Sequence, residues 1–257
     1  MHTTQHPILF CGAGPGDPEL ITVKGQRALA AADLVLYAGS LVPEAVLSWA
    51  PAAAQRVSSA DLDLERIMDI LAEAYEAGRK VVRLHTGDPS LYGAIQEQMA
   101  ALRARSIPYH VIPGVTAAFA AAAALGIEYT IPEVTQTLIL TRMAGRTPVP
   151  AKESLAALAR HNASLVIYLS MGLVAEAAAV LAEAYGAEAP CAIACRVSHP
   201  EEKILTTRIG DLARTARENG IDRLAVIMVG PALQDPAALG MVRSRLYDKE
   251  FVHGYRG

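Results

Sequence analysis

The sequence has no block of like charges, no long apolar stretch and only three cysteines. Its 257 residues carry 23 Lys+Arg against 26 Asp+Glu, a net charge of −3 spread along the chain. Without a basic arm or stripe, no nucleic acid partner and no anionic membrane surface is expected. The most apolar run, from Ala117 to Leu125, falls far short of the ~20 residues that a membrane-spanning helix needs. The first ten residues, MHTTQHPILF, lack a charged segment followed by an apolar one, so no secretory leader is expected. Cys11, Cys191 and Cys195 show neither Cys-x-x-Cys spacing nor an even disulfide framework, which suits a reducing compartment. Cys191 and Cys195 bracket the apolar run CAIAC and read as small buried hydrophobes. The seven histidines show no His-Glu-x-x-His or comparable spacing, so no metal is expected. These absences suit a cytoplasmic protein acting on a small molecule, with any anion site built locally.

What is present is a folding chain, 52% hydrophobic and 19% charged, long enough for one large domain or two small ones. Short apolar runs bounded by Gly or Pro alternate with helical patterns. Ile8–Cys11, Leu34–Tyr37, Val81–Leu84 and Tyr109–Ile112 read as strands. Helices are expected at Glu19–Ala31, at Leu64–Ala77 and at Tyr92–Arg105, the last capped by Asp88 or Ser90. This βαβ pattern implies a mostly parallel first sheet. Beyond Pro113-Gly114 come the alanine-rich helix Thr116–Leu125 and strand-like Thr137–Thr141, Leu165–Tyr168, Cys191–Cys195, Lys203–Arg208 and Ala225–Val229. Helices are expected there at Ser154–Arg160, Leu173–Tyr185 and Asp211–Asn219. Cys191–Cys195 and Lys203–Arg208, with little between them, suggest an antiparallel pair and a mixed second sheet. The fold class expected is α/β: two α/β domains, residues 1–114 and 115–257, with a cofactor cleft between them.

Four strand–turn segments carry the chemistry. Gly12-Ala13-Gly14-Pro15-Gly16-Asp17 follows a strand and precedes a helix, but its third glycine comes one place too early for Gly-x-Gly-x-x-Gly. No acidic residue ends the second strand, where Tyr37-Ala38-Gly39-Ser40 stands, and no Gly-Lys-Ser/Thr occurs. Nicotinamide and ATP therefore fit poorly. His85-Thr86-Gly87-Asp88-Pro89-Ser90 ends a strand, the position where α/β proteins bind ligands. Ile112-Pro113-Gly114-Val115-Thr116-Ala117 repeats the strand–turn–helix form. Finally, Arg142 and Arg146 share the Gly/Pro loop Thr141–Pro148. That loop is either a carboxylate site or a solvated basic loop. His85 draws interest only because it precedes the Gly-Asp-Pro turn.

In this order the segments resemble the tetrapyrrole methylase superfamily, whose members use S-adenosylmethionine. Leu20-Ile21-Thr22-Val23-Lys24-Gly25 and Ala31-Ala32-Asp33-Leu34-Val35-Leu36-Tyr37 add to the likeness. Tyr37–Val42, His85–Ser90, Thr130–Thr137 and Thr141–Pro150 are similar to the branch that methylates precorrin-4 at ring carbon 11 on the way to cobalamin. Ser244-Arg245-Leu246-Tyr247 and His253-Gly254-Tyr255-Arg256 match that branch too. The resemblance implies a homodimer with S-adenosylmethionine as methyl donor and a tetrapyrrole as substrate. It places cofactor contacts at Pro15, Thr86, Gly87, Asp88, Leu91, Thr116 and Ala117, with Met171 and Ala225 as looser matches. Substrate carboxylates fall to Arg142 and Arg146.

Relatives that methylate uroporphyrinogen carry Tyr-Asp where this chain has Tyr37-Ala38, so a base at that point is not carried over and no catalytic acid or base is named. Alignment of the reacting carbon, methyl and sulfur then bears most of the catalysis, an effect worth on the order of 7–11 kcal/mol. Rivals are a cobalt-precorrin-4 enzyme, a ribosomal RNA methylase of the same superfamily, and a non-catalytic sensor of S-adenosylmethionine or a tetrapyrrole.

Overall fold

The computed structural model describes residues 5–234; the Ser244–Tyr247 and His253–Arg256 matches lie outside the described residues. The chain divides into two compact units, Met1–Ala120 with Ser198–Pro200, and Ala121–Val197 with Glu201–Gly257.

In the first unit five strands form one parallel sheet: β1 (Ile8–Gly12), β2 (Leu34–Tyr37), β3 (Gln55–Ser58), β4 (Val81–His85) and β5 (Tyr109–Ile112). Their order is β3-β2-β4-β1-β5. Central β4 is buried at all five residues, as expected of a parallel strand covered on both faces. Ile8, Phe10, Leu34 and Leu36 face helices α3 (Leu64–Glu76) and α4 (Ile95–Ala104), whereas Cys11, Val35, Val82 and Leu84 face α1 (Val23–Ala30) and α2 (Glu44–Leu47). Asp63 caps α3 by accepting the Arg66 N–H at 2.8 Å, and Ile67, Met68, Leu71 and Ala74 turn its apolar stripe inward. Leu71 is fully buried, and its truncation to Ala would cost about 2–5 kcal/mol.

Two local expectations are corrected. The helix expected from Glu19 is a 3-10 turn, Pro18–Leu20, followed by α1; Thr22 caps α1 by accepting the Gly25 N–H at 3.1 Å. The helix expected from Tyr92 starts at Ile95, and neither Asp88 nor Ser90 caps it. Its N-cap is Ala94, at φ +50° and with no side-chain cap. The Asp88 carboxylate is committed elsewhere. Strand β3 and helix α2 were not legible in the sequence: β3 is a short, exposed edge strand, and α2 spans one turn.

The second unit holds β6 (Leu138–Arg142), β7 (Ser164–Tyr168), β8 (Pro190–Cys195), β9 (Lys203–Arg208) and β10 (Ala225–Val229), ordered β6-β7-β10-β8-β9. β6 and β7 are parallel, while β10 runs antiparallel to β7 and β8, and β8 to β9. The sheet is mixed, as the β8–β9 pair suggested. Leu165, Ile167, Ile193 and Ile227 pack against Leu155 and Ala159 of α6 (Leu155–Ala159), Leu181 of α7 (Val174–Tyr185) and Leu212 of α8 (Leu212–Glu218). The alanine-rich helix α5 (Ala117–Leu125) contains the point of division between the units.

Candidate active site

Because β4, β1 and β5 are parallel neighbours, the loops leaving their carboxyl ends meet. There Gly14 and Gly87 bond reciprocally, Gly87 N–H to Gly14 C=O at 2.8 Å and Gly14 N–H to Gly87 C=O at 3.3 Å. The Ala13 N–H donates to the His85 carbonyl at 2.7 Å. Where the strands end, three backbones touch. A Cβ on Gly12 would lie 2.5 Å from the Gly87 oxygen and 2.6 Å from the Gly114 Cα. A Cβ on Gly114 would press on the same oxygen more closely still, so Gly12 and Gly114 are both required by close approach of main chain to main chain.

Asp88 ties this crossing together. Its Oδ2 accepts the Gly114 N–H at 2.8 Å and its Oδ1 accepts the Ser90 N–H at 2.8 Å, so it braces the β5 loop against its own turn. Burial works against ionisation, but hydrogen bonds from the Ser90 side chain and from the backbone N–H groups of Gly114 and Ser90 outweigh it. They hold the carboxyl below its ordinary range. Thr22 Oγ1 donates to the Pro113 carbonyl at 3.4 Å, adding α1 to the same support.

The structure thus gathers Pro15, Thr86, Gly87, Asp88, Leu91, Thr116 and Ala117 on the three loops at one edge of the first sheet. Pro15 and Thr116 are buried; the other five are half-buried. No lysine or arginine stands in Gly12–Asp17, His85–Leu91 or Ile112–Ala117, whereas Asp88 holds a negative charge there. A phosphate-bearing ligand would meet no cation in these loops. A sulfonium and an ammonium group would meet a carboxylate, and the small side chains leave main chain open to a nucleoside. The donor set fits S-adenosylmethionine.

His85 does not qualify as a proton carrier. It is 4% exposed, and its Nε2 has no hydrogen-bond partner among the described residues. Burial, reinforced by the Arg83 charge, pushes its pKa down to about 3, so the ring is neutral and sealed from solvent. Arg83 is buried as well, its Nε donating to Gln98 Oε1 at 3.2 Å and its Nη1 to the Leu36 carbonyl at 3.3 Å.

A second cluster lies in the other unit. Arg142 ends β6 opposite Tyr168, which ends β7, and Met171 follows just beyond. β10 runs antiparallel to β7, with Ile227 opposite Ile167, so its first residue, Ala225, stands at this same edge. Met171 is buried and Ala225 half-buried. A cavity of about 480 Å³ opens here between Arg142, Met143, Arg146, Leu169 and Leu173. The two arginines share it, but Leu169 and Leu173 were not legible as its apolar wall. Only their place beside Met171 hinted at it.

The family model for Tetrapyrrole (Corrin/Porphyrin) Methylases matches residues 7–213. The chain belongs to the tetrapyrrole methylases. Among curated relatives, the Pseudomonas aeruginosa protein named precorrin-4 C(11)-methyltransferase is 49% identical, over 97% of this chain and 98% of its own length. A solved cobalt precorrin-4 methyltransferase is 42% identical and superposes with a TM-score of 0.87, covering 89% of this chain and 96% of that one. The uroporphyrin-III C-methyltransferase of Thermus thermophilus, solved with S-adenosyl homocysteine, is 29% identical with a TM-score of 0.72, over 88% of this chain and 98% of that one. This methylase thus shares its architecture with enzymes named for related macrocycles.

Proposed function

We propose that this tetrapyrrole methylase transfers a methyl group from S-adenosylmethionine to ring carbon 11 of precorrin-4, giving precorrin-5 and S-adenosylhomocysteine in cobalamin biosynthesis. The observation that carries this reading is the end-to-end 49% identity to the Pseudomonas aeruginosa precorrin-4 C(11)-methyltransferase. S-adenosylmethionine supplies an electrophilic methyl on a positively charged sulfur. Pro15, Thr86, Gly87, Asp88, Leu91, Thr116, Ala117, Met171 and Ala225 bind and orient it. Asp88, kept ionised by two backbone N–H groups, offers its negative field to a cationic donor, while the glycine crossing holds the loops rigid. Rigidity counts because an activated methyl and an electron-rich ring carbon need alignment more than they need a strong base. Arg142 and Arg146 bring positive charge to a carboxylate-bearing substrate in a chain that is acidic overall.

A second reading, the cobalt-containing precorrin-4 as substrate, is favoured by the 0.87 TM-score match to a cobalt precorrin-4 methyltransferase. Incubation with metal-free and with cobalt precorrin-4, read by mass spectrometry, separates the two. A gain of one methyl group on either is expected, and no gain on both overturns the assignment. The same reading carries a homodimer acting in the cytoplasm on a small molecule; sedimentation at twice the 27.2 kDa chain mass tests the dimer.

A further inference from the structure

The two arginines of the β6–α6 loop are not equivalent. Arg142 spends its guanidinium on its own loop: Nη1 donates to the Met143 and Thr147 carbonyls, both at 3.2 Å, and Nη2 to the Pro148 carbonyl at 2.8 Å. One side chain thus joins the start of the loop to its end. The base of the loop is pinned in turn: the Met143 N–H donates to Ser170 Oγ at 2.9 Å, and that hydroxyl donates to the Tyr168 carbonyl at 2.7 Å. Arg146, at the exposed tip, makes no hydrogen bond or ion pair with the described residues. Its planar fork is free for a bidentate carboxylate.

The same cavity is lined by Leu169, which is 73% exposed and held at φ +53°. A leucine in the left-handed region is strained, and one so exposed recovers little by burial in the free protein. Such strain gathers where a ligand makes use of it. With Leu173 it brings apolar surface to a cavity that also holds a cationic tip, the complement of an apolar body carrying an anionic edge group.

We propose that Arg142 is a positioning residue which shapes the loop, that Arg146 binds a carboxylate of the tetrapyrrole, and that Leu169 packs against the macrocycle. The proposal rests on the reading of the substrate as a polycarboxylate tetrapyrrole.

The two arginine roles separate in measurements with and without substrate. In the free protein, hydrogen exchange at the Met143 and Gly145 amides should speed up about tenfold in both Arg142→Ala and Arg142→Lys, because one ammonium cannot span three carbonyls. Arg146→Ala should leave that exchange at the wild-type rate. With precorrin-4, Arg146→Ala should raise KM about tenfold or more with kcat little changed, as expected on losing a charged hydrogen bond. Leu169→Ala should raise KM without changing the exchange. Wild-type exchange and KM in Arg142→Lys would overturn the positioning role, since charge alone would then suffice. An unchanged KM in Arg146→Ala would overturn the carboxylate contact. The exchange result needs no substrate, so it stands or falls apart from the assignment of precorrin-4, which the wild-type assay decides.

Discussion

Replacing Gly12 by alanine tests the meeting of the three loops most directly. Gly12 is not at a positive φ, so alanine fits its backbone conformation and only space is at issue. The added methyl would lie 2.5 Å from the Gly87 oxygen and 2.6 and 2.7 Å from the Gly114 Cα and N. Ordinary carbon contacts lie at about 3.5 Å, so the main chain must give by roughly 1 Å. All three neighbours are backbone and no rotamer relieves them, which places the cost at the upper end of overpacking, about 3 kcal/mol. With a urea slope of about 2 kcal/mol/M, the midpoint of the first unit should fall by about 1.5 M. A loop shift of that size should also weaken S-adenosylhomocysteine binding in calorimetry and slow turnover by about 100-fold. Gly172→Ala is the control for stability alone, because a Cβ there meets nothing within 4 Å although the residue lines the cavity between Arg142 and Arg146. If the Gly12→Ala midpoint stays within about 0.2 M of wild type and affinity is unchanged, the close crossing does not constrain the site.

Three further outcomes follow from the same geometry. Asp88→Asn removes the charge and, because an amide NH2 cannot accept, one of the two N–H bonds to the side chain, so S-adenosylmethionine binding should weaken about tenfold by calorimetry with circular dichroism unchanged; wild-type affinity would show that neither the charge nor the second bond serves the cofactor. His85, held neutral down to about pH 3, protonates near 6.5 when unfolded, so between those values the unfolded chain binds the extra proton and stability falls with falling pH. The loss is about 1.4 kcal/mol per unit; His85→Gln should flatten the urea-midpoint profile between pH 6 and 4.5, and an unaltered slope would refute the assignment. Burial pushes the Cys11 and Cys191 thiols up to about 12, and raises Cys195 as well. Ellman's reagent at pH 8 should therefore leave the native protein unlabelled and react with all three thiols in urea. Rapid labelling of Cys191 or Cys195 in the native chain would contradict the buried CAIAC strand.

Much of this protein was written locally. Apolar runs bounded by Gly and Pro marked nine of the ten strands among the described residues, because buried parallel and mixed sheets need such runs whatever surrounds them. The Gly-x-Gly-Pro-Gly-Asp, Gly-Asp-Pro and Pro-Gly-Val-Thr-Ala turns, in order, carried the family resemblance and the residues proposed to hold the cofactor. β3 escaped because an exposed edge strand, Gln55–Ser58, has no inward row to bury. The start of α4 escaped because the chain there adopts left-handed angles at Tyr92 and Ala94, which propensity alone does not foresee.

What the tertiary structure decided is how shared motifs divide their work. Asp88 looks like a helix cap by position, yet two N–H groups, one of them 26 residues further on, claim its oxygens. Arg142 and Arg146 are alike in charge and loop, yet one is consumed by three local carbonyls while the other makes no bond among the described residues. His85 precedes the Gly-Asp-Pro turn but is sealed and neutral. Sequence sets which groups are available and, through period and turn chemistry, which elements form. Partner choice for a carboxylate or a guanidinium depends on which backbone groups come within about 3 Å, and only strand order and loop closure determine that.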